Sequence, residues 1–235
     1  MKLFIDDANV EKIKEIYAYY PVDGVTTNPS ILAKTGRDPM DVLTEIRSVI
    51  GEDTLFVQAV AQDAEGMVED AEKIVNAFGK NTVVKIPSIK EGFKAMKTLA
   101  EKNISVCATV VYTPMQAYLA AKAGAAYVAP YVNRIDNMGY DGVNVVKEIQ
   151  DILDTNGFSC MVLAASFKNS QQVKELAMYG VGSSTCAPDV IEGFVKNMAI
   201  DGAVADFVED YKKLTGRTSF GAVKLDEVIQ KTVPK

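Results

Sequence analysis

Short runs of β-branched and apolar residues alternate along the chain with longer stretches in which apolar positions recur every three or four residues. The strand-like runs cover residues 2–6, 24–27, 54–60, 82–86, 104–111, 127–132, 159–166 and 181–185, and helical periodicity fills 10–19, 39–50, 64–78, 90–101, 114–123, 142–155, 170–178 and 189–196, followed by 203–214. Thr113 ahead of Pro114, and Asn169 ahead of a polar first turn, are helix-start signals. No Pro- or Ser-rich linker interrupts the alternation, so residues 1–220 read as a single domain that includes the C-terminal helix, with 221–235 as a tail. Strict β-α alternation predicts a parallel sheet whose outward positions are covered by helices. Eight units in about 215 residues favour an α/β fold of the closed (β/α)8 TIM-barrel type, with an additional C-terminal helix and tail, over an open doubly wound sheet.

The polar exceptions to the apolar strands fall in one place. Asp6, Thr26, Gln58, Lys85, Thr109, Tyr131 and Ser166 each stand at or near the C-terminal end of a different strand. Barrel enzymes build their sites on that face, and polar ends on so many strands suit a ring around one mouth better than a crevice at one switch point. In TVVKIP, alternation puts Val83 and Lys85 on one face and Val84 and Ile86 on the other. If the second pair packs against helices, Lys85 points into the barrel, where lost hydration favours a free amine able to form a Schiff base with a carbonyl. The competing readings are a lysine that snorkels to solvent and one that pairs with Asp6. Asp6 shares the parity of Phe4 and is either a proton-handling group near Lys85 or an N-terminal cap for the helix starting near Asn9.

The other candidates carry the same duality. In GVTTNPS, Thr26, Thr27 and Asn28 precede Pro29; Thr26 and Asn28 read as substrate-binding residues, with a capped strand-to-helix turn as the alternative. Gln58 is an amide, able to orient water or a hydroxyl but not to exchange a proton at neutral pH. Tyr131 follows Tyr127 and Ala129 on one face, with Arg134 just beyond. A phenol there can pass a proton through water and the guanidinium can fork onto a phosphate; a packed tyrosine with an Arg134–Asp136 salt bridge is the alternative. LAASFKNS supplies Ser166 and Lys168, and the next strand, GVGSST, is rich in glycine and hydroxyls. Barrels often bind phosphate at the loops after strands seven and eight. By itself GVGSST is weak, lacking the third glycine of a dinucleotide fingerprint and a Walker lysine.

Composition narrows the chemistry. The 235 residues include no histidine, which removes the commonest general base and metal ligand and the Ser-His-Asp triad. Chemistry falls to lysine, tyrosine, carboxylates, amides or hydroxyls, and the acidic residues show no repeated metal-ligand spacing, so no metal is expected. Cys107, Cys160 and Cys186 form no CxxC pair and lie among apolar or small residues, the pattern of buried free thiols in a reducing compartment. With 25 Lys and Arg against 31 Asp and Glu the net charge is −6, a repulsive field for nucleic acid, and Lys212, Lys213 and Arg217 read as a solvated charge run. MKLFIDDANV turns acidic too early for a signal core, and no run approaches the about 18 apolar residues of a membrane span, so a cytoplasmic protein without membrane contact is expected.

Taken together, FIDDAN, GVTTNPS, FVQAVAQDAEGM, VVKIP, ATVVYTPMQA, AGAAYVAPYVNRID, VLAASFKN and GRTSF resemble the small transaldolase family and, within it, the fructose-6-phosphate aldolases. The resemblance runs from Met1 to about Phe220. It implies an (α/β)8 barrel, a Schiff-base lysine at Lys85, and a site that includes Asp6, Asn28, Thr109 and Tyr131. It also implies that Arg134 and Ser166 bind the phosphate of a sugar acceptor, with Lys168 where larger transaldolases carry an arginine. Transaldolases of the family usually carry glutamate where this chain has Gln58, phenylalanine where it has Tyr131 and asparagine where it has Cys107. The implied reaction is therefore reversible cleavage of fructose 6-phosphate to dihydroxyacetone and glyceraldehyde 3-phosphate, with no cofactor because the imine is the electron sink. Transfer of the dihydroxyacetone unit between sugar phosphates, as in the pentose phosphate pathway, is the alternative; a noncatalytic sugar-phosphate-binding barrel is a third reading. The resemblance further implies a homo-oligomer, a decamer of two stacked pentamers, with residues 203–214 and the segment after them free to pack on a neighbour. The last segment, GAVKLDEVIQKTVPK, extends beyond shorter family members and has no functional reading.

Overall fold

Strands β1 (Lys2–Asp6), β2 (Gly24–Thr26), β3 (Thr54–Gln58), β4 (Thr82–Pro87), β5 (Val106–Val111), β6 (Tyr127–Pro130), β7 (Met161–Ala164) and β8 (Ser183–Cys186) pair in parallel, in chain order, and β8 returns to β1 to close a barrel. This is a computed structural model, and it describes residues 1–222. The helices are α1 (Val10–Tyr19), α2 (Pro29–Ala33), α3 (Pro39–Ile50), α4 (Ala64–Phe78), α5 (Lys90–Glu101), α6 (Pro114–Lys122), α7 (Val132–Asp136), α8 (Gly142–Thr155), α9 (Ser170–Tyr179), α10 (Pro188–Glu192) and α11 (Met198–Thr215). The closed parallel sheet with intervening helices is the expected (β/α)8 architecture.

Register carries side-chain parity around the ring. Asp6 pairs with Thr26, Thr26 with Phe56, Gln58 with Lys85, Lys85 with Cys107, and Cys107 with Tyr127, so these residues share the inner face. Phe4, Phe56, Val83, Cys107, Ala129 and Leu163 fill the interior, with Tyr127 against them. Phe4–Phe56 and Phe56–Tyr127 meet edge-to-face at 5.1 Å each, a favourable quadrupole geometry. Outside the ring, Val84 and Ile86 pack with Met67, Met96 and Leu99, and Val25 and Leu55 with Ile13, Ile16 and Ile46. The alternation of TVVKIP thus resolves as expected, with Lys85 inward. At the end of the same strand a Cβ on Gly92 would lie 1.8 Å from the Pro87 carbonyl oxygen, so only glycine lets α5 turn back so close to β4.

Boundaries depart from the periodic reading where loop hydrogen bonds win over strand propensity. The run 54–60 leaves the sheet after Gln58 because the Asp70 carboxylate takes the N–H groups of Val60 and Ala61, both at 2.9 Å. The run 127–132 stops at Pro130, and Val132 begins α7. Strand β7 is Met161–Ala164 within the expected 159–166, and β8 is shifted to Ser183–Cys186 from 181–185. Helix α7 was not expected and α2 only as the capped turn at Asn28–Pro29, since five residues are too few to display a 3.6-residue period. Helix α11 starts earlier than residue 203, capped by the Asn197 side chain, and ends at Gly216 in the left-handed conformation, φ 72°.

The chain divides into two compact units, Met1–Gly193, which holds the whole barrel, and Phe194–Lys235. The described part of the second unit is α11 and a short 3-10 turn at Phe220–Ala222. From residue 223 onward the expected tail lies outside the described residues. Among the described residues no helix is long and apolar enough to cross a membrane.

Candidate active site

The site is built from strand ends, beginning with β4. Lys85 is 5% exposed, which excludes the snorkelling reading, and its Nζ donates to the Thr27 backbone carbonyl at 3.0 Å. That carbonyl is presented by the turn from β2 into α2. Thr27 holds the turn by donating its own hydroxyl to the Phe56 carbonyl at 2.9 Å, and its N–H bonds to the same oxygen. Cys107 lies beside Lys85 on the inner face, and burial pushes its thiol up to about 12, so it stays protonated and leaves the amine as the available nucleophile.

Asp6 faces this lysine from the end of β1. Burial raises its carboxyl above the usual aspartate range, opposed by the positive charge of Lys85 and by the Thr26 hydroxyl, which donates to Asp6 Oδ1 at 2.8 Å. Thr26 in turn shares a 2.6 Å hydrogen bond with the hydroxyl of Thr185 on β8. The capping alternative for Asp6 fails, because Asn9 caps α1 through bonds from the N–H groups of Glu11 and Lys12. For Asn28 the capping reading holds: its Oδ1 accepts from Ser30 and Ile31 at the start of α2, with Pro29 in the first turn. Its amide nitrogen is left for other partners. Asp6 also lines a cleft of about 730 Å³ with Asn9, Lys34, Arg37 and Ala187, and Lys85 is not among the residues lining it.

On the opposite wall Thr109 is fully buried, and its hydroxyl shares a 2.7 Å bond with the Tyr131 phenol. Tyr131 lies just past β6 and bridges to Ala165 beyond β7. Gln58 ends β3 directly opposite Lys85 in register and is partly exposed. Thr109 follows Cys107 onto the inner face by ordinary alternation, and a β-bulge comes directly after it, where Val110 takes φ 59° and the register to β6 shifts between Ala108 and Val111. Ala108 and Val111 both pack outward, an arrangement that unbroken alternation cannot produce.

Above Tyr131, Arg134 stacks on its ring at 4.5 Å, and Tyr112 packs edge-on against the same ring at 5.6 Å. Interaction with the Tyr112 hydroxyl raises the guanidinium's proton affinity further. The Arg134–Asp136 pair weighed from the sequence does not form. Asp136 spends its carboxylate on Gly142 N–H and Gln172 Nε2, at 2.7 Å each. Arg134, Tyr112, Asn137 and Met138 line a further cleft of about 570 Å³. Ser166 follows β7 with φ 61°, and its carbonyl accepts from Asn133 N–H at 2.9 Å, which sets it beside the start of α7. Lys168 is exposed in the same loop.

One mouth therefore receives Asp6, Thr26, Gln58, Lys85, Thr109 and Tyr131, and the segments bearing Asn28, Arg134, Ser166 and Lys168 stand around it. Two of the three GVGSST hydroxyls are spent within the barrel wall. Ser183 donates to the Val162 carbonyl at 2.7 Å within the wall, and Thr185 serves Thr26. Thr185, Tyr112 and the Thr27 carbonyl were missed, because their roles depend on neighbours across the barrel that local pattern does not reveal. Cys160 and Cys186 are buried and free like Cys107, as the sequence suggested.

The profile of the Transaldolase/Fructose-6-phosphate aldolase family matches residues 3–234. A relative from Geotalea uraniireducens (strain Rf4), described as a probable transaldolase, is 41% identical over 214 residues, spanning 91% of this chain and 99% of the relative.

Proposed function

Because the chain belongs to the transaldolase/fructose-6-phosphate aldolase family, whose members act on sugar phosphates, we propose that it is a class I aldolase cleaving fructose 6-phosphate reversibly to dihydroxyacetone and glyceraldehyde 3-phosphate. The observation that carries this reading is the buried Lys85, aimed into the barrel between Gln58 and Cys107 and tethered to one backbone carbonyl. Lys85 Nζ adds to the C2 carbonyl, and the carbinolamine loses water to give an iminium. Cleavage of C3–C4 sends its electron pair into the iminium, forming an enamine, while the C4 hydroxyl proton passes to a water held among Gln58, Thr109 and Tyr131. Glyceraldehyde 3-phosphate departs. The enamine is reprotonated at C3, and water hydrolyses the iminium to free dihydroxyacetone, so the water lost in imine formation is returned.

Asp6 at the end of β1 passes a proton to the departing carbinolamine hydroxyl and, as the carboxylate, stabilises the iminium. Thr26 fixes that carboxyl, and the Asn28 amide nitrogen binds donor hydroxyls. Arg134, Ser166 and Lys168 hold the acceptor phosphate, the arginine through its planar fork. The chain works without a cofactor, in the cytoplasm, as a homo-oligomer that we take to be a decamer of two pentamers.

A second reading, transaldolase, is favoured by the description of the Geotalea relative; Gln58 and Tyr131 favour the aldolase. Incubation with dihydroxyacetone and borohydride should leave a reduced adduct on Lys85. Lys85→Met should abolish both adduct and cleavage, a loss of at least about a thousandfold. Free dihydroxyacetone formed without an added aldose supports the aldolase; product formed only with erythrose 4-phosphate supports the transaldolase. An unmodified Lys85 with no turnover leaves a binding barrel.

A further inference from the structure

Helix α7, which carries Arg134, is five residues long and has no side-chain N-cap. So short a helix is not stable through its own bonds, and its position depends on what holds it from outside. The β7–α9 loop, which carries Ser166 and Lys168, is its partner. The two are laced first by backbone, Val132 N–H to Ala165 O and Asn133 N–H to Ser166 O, both 2.9 Å. Side chains then complete the tie. Lys168 N–H donates to Gln172 Oε1 at 2.8 Å, Gln172 Nε2 donates to Asp136 Oδ2 at 2.7 Å, and Asp136 Oδ1 accepts from Gly142 N–H at 2.7 Å. The α8 end of this chain admits only glycine, since a Cβ on Gly142 would lie 2.2 Å from the Val132 carbonyl oxygen.

Resting on the proposed phosphate role of Arg134, Ser166 and Lys168, we infer that Asp136 and Gln172 are positioning residues that hold Arg134 and the Ser166–Lys168 loop at a fixed separation and thereby set affinity for phosphorylated over unphosphorylated aldehydes. The polarity of the relay is forced. Both outer partners, Lys168 N–H and Gly142 N–H, are donors, so the two side chains between them must supply one acceptor each outward and one donor-acceptor pair inward. Asp136→Asn with Gln172 unchanged supplies one amide hydrogen pair too many, whichever way the amides flip. Gln172→Glu sets two carboxylates against each other. The double change restores every bond with the direction of the inner one reversed, since the amide introduced at position 136 can donate to the carboxylate introduced at position 172 while both outer acceptors are kept.

The test is this four-protein cycle, with Gln172→Ala as a further variant that cuts the tie to the loop but leaves Asp136 on Gly142. Phosphate affinity is read by calorimetry with inorganic phosphate and as KM for glyceraldehyde 3-phosphate, with unphosphorylated glyceraldehyde as control. Each single variant should weaken phosphate and glyceraldehyde 3-phosphate by about tenfold while kcat/KM for glyceraldehyde moves less than about twofold, and the double should return to within about threefold of the parent. Unchanged phosphate affinity in the single variants, equal losses with both aldehydes, or a double no better than the worse single would overturn the inference. Borohydride trapping on the same proteins reports the imine chemistry separately: a parent that binds phosphate but traps no donor defeats the aldolase reading and not this one.

Discussion

Asp6 is held in the barrel wall at an expense to the fold, because burial raises its carboxyl while Lys85 and the Thr26 hydroxyl pull against that rise. A carboxyl raised in the folded state holds its proton more tightly there than in the unfolded chain. Its contribution to stability is therefore complete below the ordinary aspartate value of about 3.9 and is lost as pH climbs through the raised folded value. Asp6→Asn removes that titration and keeps an acceptor for Thr26. The variant should melt a few degrees above the parent at neutral pH, the gain should shrink as pH falls toward 4, and cleavage should drop by about a hundredfold or more. Melting curves of both proteins from pH 4 to 8 check this; a pH-independent difference would assign the effect to shape and not to charge. Lys85 was legible because a lysine interrupts an apolar strand with known parity. The ambiguity at Asp6 was decided by a neighbour, Asn9 taking the cap, and the Thr26–Thr185 bond joins residues 159 positions apart, beyond any local pattern.

At the scale of elements the long helices and most strand cores were readable from period alone, whereas the pieces that aim the site were not. The segment VCATVV looks like an unbroken strand, yet Val110 sits in a left-handed conformation that costs a β-branched residue about 1–3 kcal/mol. The surrounding structure must over-determine it, and Gln116 supplies the means. From the first turn of α6 its Nε2 donates to the carbonyls of Val110 and Ser88 at 3.2 Å each, and its Oε1 accepts from Tyr112 N–H at 2.9 Å and Thr113 N–H at 3.2 Å. One side chain thus ties the bulge after Thr109 to the loop that follows the Lys85 strand. Gln116→Ala should lower stability by about 1–3 kcal/mol, from the polar groups it orphans, and lower kcat more than it raises KM, because the bulge that follows Thr109 loosens while Lys85 keeps its tether to Thr27. Chemical denaturation with steady-state kinetics measures both. Undiminished kcat in a variant with the expected loss of stability would make the clamp structural only.

For the whole molecule, strict alternation and the gathering of polar residues at strand ends were enough to favour the closed barrel, since register then places Asp6, Thr26, Gln58 and Lys85 on one inner face without further assumption. The segment after the barrel obeys a different logic. None of the 18 residues of α11 is buried, and Val204, Phe207, Val208 and Leu214 are exposed, Phe207 by 73% and Leu214 by 84%. Their spacing of three, one and six residues places them along one side of the helix, with Ile200 a turn earlier. An apolar stripe left open to water is unfavourable by roughly 25 cal/mol per Å² of apolar surface, which is relieved when copies of the chain associate around a closed symmetry. Light scattering at micromolar concentration should accordingly return a mass several times that of one chain. Phe207→Asp together with Leu214→Asp should shift the mass toward the monomer while leaving the barrel's far-ultraviolet circular dichroism unchanged, because neither side chain contributes to the barrel interior. A parent protein that scatters as a monomer refutes the oligomer outright, and an oligomer indifferent to both substitutions places its interface elsewhere than on this helix.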